Sequence, residues 1–332
     1  MRCLTEYNPR TDRNRVIPVP AGLWERFIFA LSVTTDTSDA IPASDDIANF
    51  LLTLQGEQIV NASWTMLHIL NQRISGAPPH IAPTAGASFL GLSIPATPDA
   101  QALPNSYFVE RDGALTIQVN IGADFIADTA ASTDALMQVY AVPSLHPAIF
   151  VPKIHVITQA MVAGANVVDV PSINNVMDLI IRASAVAQAD RVVVFSGGKA
   201  VIEASWFALW TLANLRDRIE IGEVFADDTL AATPNYVHVV PAVSRTVAAL
   251  ASSSFGLQIN TAGTATMNVL LFAAKFLGDN AYKTRQMVAA ELVNSIRKLP
   301  TNERTKAIKA IKAAAGRTRA EAVAESTALF GS

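Results

Sequence analysis

The residues with the most latent chemistry in this 332-residue chain are five histidines, two aspartate pairs, one cysteine and a glycine-lysine turn. His68, His80, His146, His155 and His238 form no HxxxH or HxH pair, so no local spacing suits a metal ion. Asp45-Asp46 and Asp227-Asp228 sit in turn-like settings, where capping or solvation is expected over acid/base work. Ser196-Gly-Gly-Lys199 invites comparison with a phosphate loop but lacks its spacing and its closing Ser or Thr, so it reads as a hairpin turn. Cys3 has no partner cysteine, which removes internal disulfides and cysteine-based metal sites. Neither a Gly-x-Ser-x-Gly elbow nor a dinucleotide fingerprint occurs. The expectation is a protein with no catalytic residues, no cofactor and no metal: a non-enzyme.

Charge placement says more than net charge. The total is -3, yet residues 1–20 balance at +2 and residues 275–332 at +6, which leaves -11 for residues 21–274. An acidic body therefore carries two basic ends. Arg10, Arg13 and Arg15 in an N-terminal arm, with Lys306, Lys309, Lys312, Arg317 and Arg319 in a C-terminal tail, are the residues expected to face an anionic membrane or nucleic acid. The tail reads as helical from Asn302 onward, with lysines at every third position beside Ile308 and Ile311. A helix clamping a neighbouring subunit, its lysines in solvent, explains the same pattern.

Those ends need a body to display them. Apolar residues make up 51% of the chain and charged residues 16%, poor in charge for a free-standing soluble protein, so partners are expected to cover much of its surface. No apolar run is long enough to span a membrane and no signal peptide opens the chain, so folding in the cytosol is expected.

The body is built twice. Gly56 to Leu70 aligns without gaps on Gly198 to Leu212 at an offset of 142, with identities at Gly56/Gly198, Ala62/Ala204, Ser63/Ser205, Trp64/Trp206, Leu67/Leu209 and Leu70/Leu212. Ile117-Gln-Val-Asn120 then matches Leu257-Gln-Ile-Asn260 at 140, and Met137-Gln-Val139 matches Met267-Asn-Val269 at 130. Trp64, Leu67, Trp206 and Leu209 are the expected repeat-defining core. The boundaries this implies are an arm at 1–20, a first unit at 21–145, a proline-rich linker at 146–151, a second unit at 152–277 and a basic helical tail at 278–332.

Within each unit, strands are expected before a helix. Arg26 to Thr35 reads as an opening strand, and Ile47 to Leu54 with Gln58 to Val60 as a hairpin repeated at Arg191–Phe195 and Ala200–Ile202. A short amphipathic helix follows each hairpin from its tryptophan. Further strands are expected at 115–121, 136–142, 236–240, 255–260 and 267–272. One long helix from Asp45 to Ile74 is the competing reading, disfavoured by the β-branched and Gly-Gly sequence of its duplicate. The fold class is mainly β: two tandem units, each a β-sandwich or a jelly-roll barrel with a short flanking helix, plus the helical tail.

An opening strand, a strand-turn-strand with glycine and an apolar helix, all twice over, resembles the double jelly-roll major capsid proteins of icosahedral viruses with an internal membrane, the tectivirus and adenovirus lineage. Asn49 to Val60 and Trp64 to Gly76, echoed by Arg191–Trp210, carry the likeness, which spans about residues 21–277. The resemblance implies a homotrimer forming a pseudo-hexagonal capsomer of an icosahedral virion or bacteriophage capsid. It also implies other virion proteins as partners, assembly in the host cytoplasm, and basic termini toward membrane or genome. A tandem β-sandwich that binds or hydrolyses glycans, and a helical RNA-virus nucleoprotein, are the competing functions. The acidic body argues against the second.

Overall fold

The computed structural model describes residues 1–276 except 36–46, 76–79, 85–86, 99–103, 129–131, 171–175, 185–188, 197, 210, 212–235 and 240–254. Residues 1–275 form one compact unit and 276–332 a second, which lies outside the described residues beyond Phe276. The expected helical tail therefore lies there too, with its five site residues, as do Asp45, Asp46, Asp227 and Asp228.

Alternation of apolar and polar residues dictates strands throughout the first half. In chain order these are β1 (Arg2–Tyr7), β2 (Asn14–Val19), β3 (Gly22–Thr35), β4 (Ala48–Leu54) and β5 (Glu57–Ser63), then helix α1 (Trp64–Ser75). After it come β6 (His80–Thr84), β7 (Ala87–Pro95), β8 (Tyr107–Val109), β9 (Leu115–Ile121), α2 (Ala123–Asp128) and β10 (Ser132–Pro143). The second half holds β11 (Phe150–Met161), β12 (Gly164–Val168), β13 (Val176–Ala183), β14 (Ala189–Ser196) and β15 (Lys199–Ser205). A helical turn at 206–209 precedes β16 (Tyr236–Val239), β17 (Phe255–Thr261) and β18 (Ala265–Phe276).

The first half is a sandwich of β1-β10-β3-β7, extended by β6 and β8, against β2-β9-β4-β5. Phe29 of β3 meets Phe50 of β4 across the interior at 4.5 Å between ring centroids, and Phe50 meets Trp64 at 5.8 Å. The second half pairs β11-β18-β13-β16 and β12-β17-β14-β15. With β6 and β8 set aside and strands counted from the start of each half, both halves have the orders 1-8-3-6 and 2-7-4-5. That is the connectivity of an eight-stranded jelly roll. The fold is mainly β, and the reading of 45–74 as one helix gives way to a hairpin followed by α1.

Duplication extends to register. Leu51 pairs with Gln118 in the first roll and Val193 with Gln258 in the second, positions related by 142 and 140 residues. Met137 pairs with Leu31, and Met267 with Ala183. Gln118 Nε2 donates to Asn120 Oδ1 at 2.8 Å, and Gln258 Nε2 to Asn260 Oδ1 at 2.9 Å. Gly56 and Gly198 both take left-handed φ, +84° and +75°, to close their hairpins. Ser63 and Ser205 cap the following helices, accepting from Met66 N at 3.4 Å and Ala208 N at 3.2 Å. Trp64, Leu67, Trp206 and Leu209 are all buried.

The first twenty residues, expected as an arm, instead form β1 and β2. β1 pairs with β10 and β2 with β9, so they complete the first roll. Their arginines masked the pattern, because both strands lie at sheet edges, where charged side chains face water and discourage further pairing.

Candidate functional site: the seam between the rolls

The second sheet of the first roll and the first sheet of the second roll are one. β5 pairs in parallel with β11 through Val60 with Ile154 and Asn61 with His155, giving a continuous eight-stranded order β16-β13-β18-β11-β5-β4-β9-β2. A strand that would otherwise end the first roll is thereby covered by its own chain.

Packing follows from that join. Ile180, Leu270 and Phe272 point away from the second roll's own core and belong to the first roll's apolar cluster, together with Phe150 and Ile154. Leu179, Ile181, Val269 and Leu271, their neighbours in sequence, fill the second core. β13 and β18 are thus buried on both faces, which is why Leu179-Ile-Ile181 and Val269-Leu-Leu-Phe272 run apolar without alternation.

Polar contacts fix the seam's edge. Glu57, at the start of β5, receives Lys153 Nζ of β11 and Lys275 Nζ of β18, each at 2.6 Å. Hydrogen bonds from Lys153 and then Lys275 hold its carboxyl below the ordinary glutamate range, against a smaller opposing effect of burial. His155, in the pairing itself, is pushed below the usual imidazole value, first by burial and then by the Lys153 charge, with Glu57 opposing.

The connector between the rolls is pinned rather than merely stiffened by proline. Asn105 is buried in the loop before β8; its Nδ2 donates to Ala96 O at 2.9 Å and Phe150 O at 3.1 Å. Its Oδ1 accepts from Ile149 N at 2.8 Å and Phe150 N at 3.2 Å. Ser106 Oγ lies 2.6 Å from both Ser144 Oγ and the His146 carbonyl oxygen. The amide of one loop residue thus ties the entry of β11 to the first roll.

The sequence-derived charge sites are not gathered here. Arg10 and Arg13 lie in the turn between β1 and β2, and Arg13 is exposed. Arg15 is engaged locally, donating to Asp12 at 2.9 Å and lying 5.7 Å from the centroid of the Tyr7 ring. The Ser196–Lys199 stretch is the β14-β15 turn, with those two residues paired. Among the described residues, no three His, Cys, Asp or Glu side chains are grouped to hold a metal, and no helix is long and apolar enough to cross a membrane. Glu57, Lys153, Lys275 and Asn105 were missed by sequence reasoning. One sign of Glu57 was available: the repeat replaces it with Lys199, a charge reversal inside a conserved frame.

Fold and seam together define a tandem jelly-roll protein whose two rolls share a sheet. No family model and no curated protein matches the chain. Among solved structures it is similar to the major capsid protein of bacteriophage PM2, at 13% identity over 84% of this chain and 97% of that one, with a TM-score of 0.49. It is also similar to peptide N-glycanase F, at 10% identity, 79% and 88% coverage and a TM-score of 0.29. A third likeness is to the Penaeus vannamei nodavirus, at 12% identity, 81% and 95% coverage and a TM-score of 0.18.

Proposed function

We propose that this chain is a viral major capsid protein, a homotrimer whose paired rolls build a pseudo-hexagonal capsomer of an icosahedral shell. The observation that carries the reading is the duplication of one jelly roll, in strand order and register, with the copies fused side by side through a continuous sheet. Two like units fused side by side suit a repeating wall, in which each outer flank meets a sister molecule. The low charge content favours the same end, since buried flanks cannot carry unpaired charge. In this reading the exposed Arg13 and the basic tail residues Lys306, Lys309, Lys312, Arg317 and Arg319 face the inner membrane or genome, weak contacts multiplied over many copies.

Electron microscopy and sedimentation of the purified full chain test the proposal. Three-fold particles with two towers per subunit, or closed shells, are the expected result. A protein that stays monomeric at every concentration, with or without salt, would overturn it.

A further inference from the structure

One corner of the first roll brings together two edge strands, β1 of one sheet and β2 of the other, joined by the turn at 8–13. Arg15 of β2 spans that corner. Its Nη1 donates to Asp12 Oδ2 at 2.9 Å and its Nη2 to Thr5 Oγ1 of β1 at 3.5 Å, while the guanidinium lies 5.7 Å from the Tyr7 ring centroid. The third nitrogen, Nε, is buried and has no hydrogen-bond partner among the described residues. The same holds for Oη of Tyr7, a residue only 8% exposed. Burial and then the Asp12 charge push the Tyr7 hydroxyl above its ordinary range, with Arg15 opposing, so it keeps its proton. An arginine Nε can only donate and a protonated phenol donates as well, so one acceptor matches both. Buried polar groups in folded proteins are seldom left unmatched.

The second roll closes the same corner by other means. Through the registers with Val119 and Ile259, Arg15 corresponds to Asn166 of β12. Asn166 Oδ1 accepts from Val162 N at 3.0 Å, and its Nδ2 donates to Val162 O at 2.8 Å, Gly164 O at 3.0 Å and Thr261 Oγ1 at 3.1 Å. That amide is satisfied by protein groups, whereas the first roll sets two donors at its corner. Residues 8–15 hold Arg10, Arg13 and Arg15 against Asp12 alone, three positive charges to one negative, which favours a negatively charged acceptor over water.

We propose that this corner binds a free oxyanion of the phosphate class, which accepts from Tyr7 Oη and Arg15 Nε and clamps β1 to β2. Asp12 keeps its place on Nη1, so the anion adds to that ion pair without displacing it. A phosphate carried on a nucleic acid or a lipid brings substituents that the buried Oη excludes, so the ligand is a small free ion. The site is independent of the capsid reading and of any membrane or genome that Arg13 faces.

Melting of the full-length chain, in chloride buffers of constant ionic strength, tests the site. Inorganic phosphate is expected to raise the melting temperature saturably, with one ion bound per chain by titration calorimetry. Tyr7→Phe keeps the ring and removes the hydroxyl. It is expected to weaken phosphate binding about tenfold or more, yet to melt no lower than wild type in phosphate-free buffer, because a buried hydroxyl without a partner costs stability. Arg15→Lys keeps the charge but lacks Nε and is expected to lose the phosphate response, whereas the exposed-site change Arg13→Gln retains it. A Tyr7→Phe chain that melts lower than wild type without phosphate would show the hydroxyl to be held by water, and would overturn the proposal. So would a wild-type chain with no saturable response, a response unchanged in Tyr7→Phe, or one lost equally in Arg13→Gln. Displacement of bound phosphate by a short oligonucleotide or by anionic lipid vesicles would overturn the assignment to a free ion.

Discussion

Lys153 and Lys275 favour the ionised carboxylate of Glu57, and burial favours the neutral imidazole of His155 beside it, so both groups of the seam favour the deprotonated form. For the histidine, a folded pKa below the ordinary 6.5 means that its contribution is complete above that pH and is lost as the pH falls. For the glutamate, a folded pKa below the ordinary 4.5 means that its contribution is complete above that value and is lost only on further acidification. Thermal unfolding followed from pH 8 to 3 should therefore show two successive losses of stability, about 8 to 3 being the range that spans both ordinary values. His155→Gln removes the upper loss and Glu57→Gln the lower. At pH 7 the glutamate change alone should cost less than about 1 kcal/mol, because its ion pairs are partly exposed. Asn105→Ala is expected to be the harsher change, about 2–3 kcal/mol in urea unfolding, since it strips partners from buried backbone groups at the connector. A loss under about 0.5 kcal/mol would show that water replaces the amide there.

Among the elements, the hairpins give the cleanest comparison between copies. Gly56 and Gly198 have left-handed φ, and no atom lies within 4 Å of the point where a Cβ would stand, so replacement by alanine meets backbone strain without a clash. Each should cost about 1–2 kcal/mol, and equal costs by chemical denaturation would show the two turns to be energetic as well as geometric duplicates. These hairpins, the tryptophan helices and strands β9 and β17 are legible in the sequence, because alternation and a shared Gln-x-Asn frame are local properties. β13 is not, because burial on both faces erases its alternation and leaves Leu179-Ile-Ile181 indistinguishable from any apolar run. β1 and β2 are hidden by charge, and the parallel step from Val60 to Ile154 has no local trace at all. Of the candidate seam, only the charge reversal between Glu57 and Lys199 is visible in the sequence.

At the scale of the molecule, a shared sheet and a shared apolar cluster make the rolls interdependent. Calorimetry of the full chain should show one transition for both rolls, with calorimetric and van't Hoff enthalpies in agreement. Separately expressed halves, cut before Phe150, should aggregate, because one half bares the β5 edge and the other Ile180, Leu270 and Phe272. Two well-separated transitions would mean that the common sheet transmits little energy. The join has a kinetic meaning as well. Because β11 follows the first roll through a connector of only a few pinned residues, it reaches β5 at a local concentration fixed by tether length and independent of how much protein is present. In the trimeric capsomer proposed above, half of the roll-to-roll encounters would be completed during folding, so dilution could arrest only the other half.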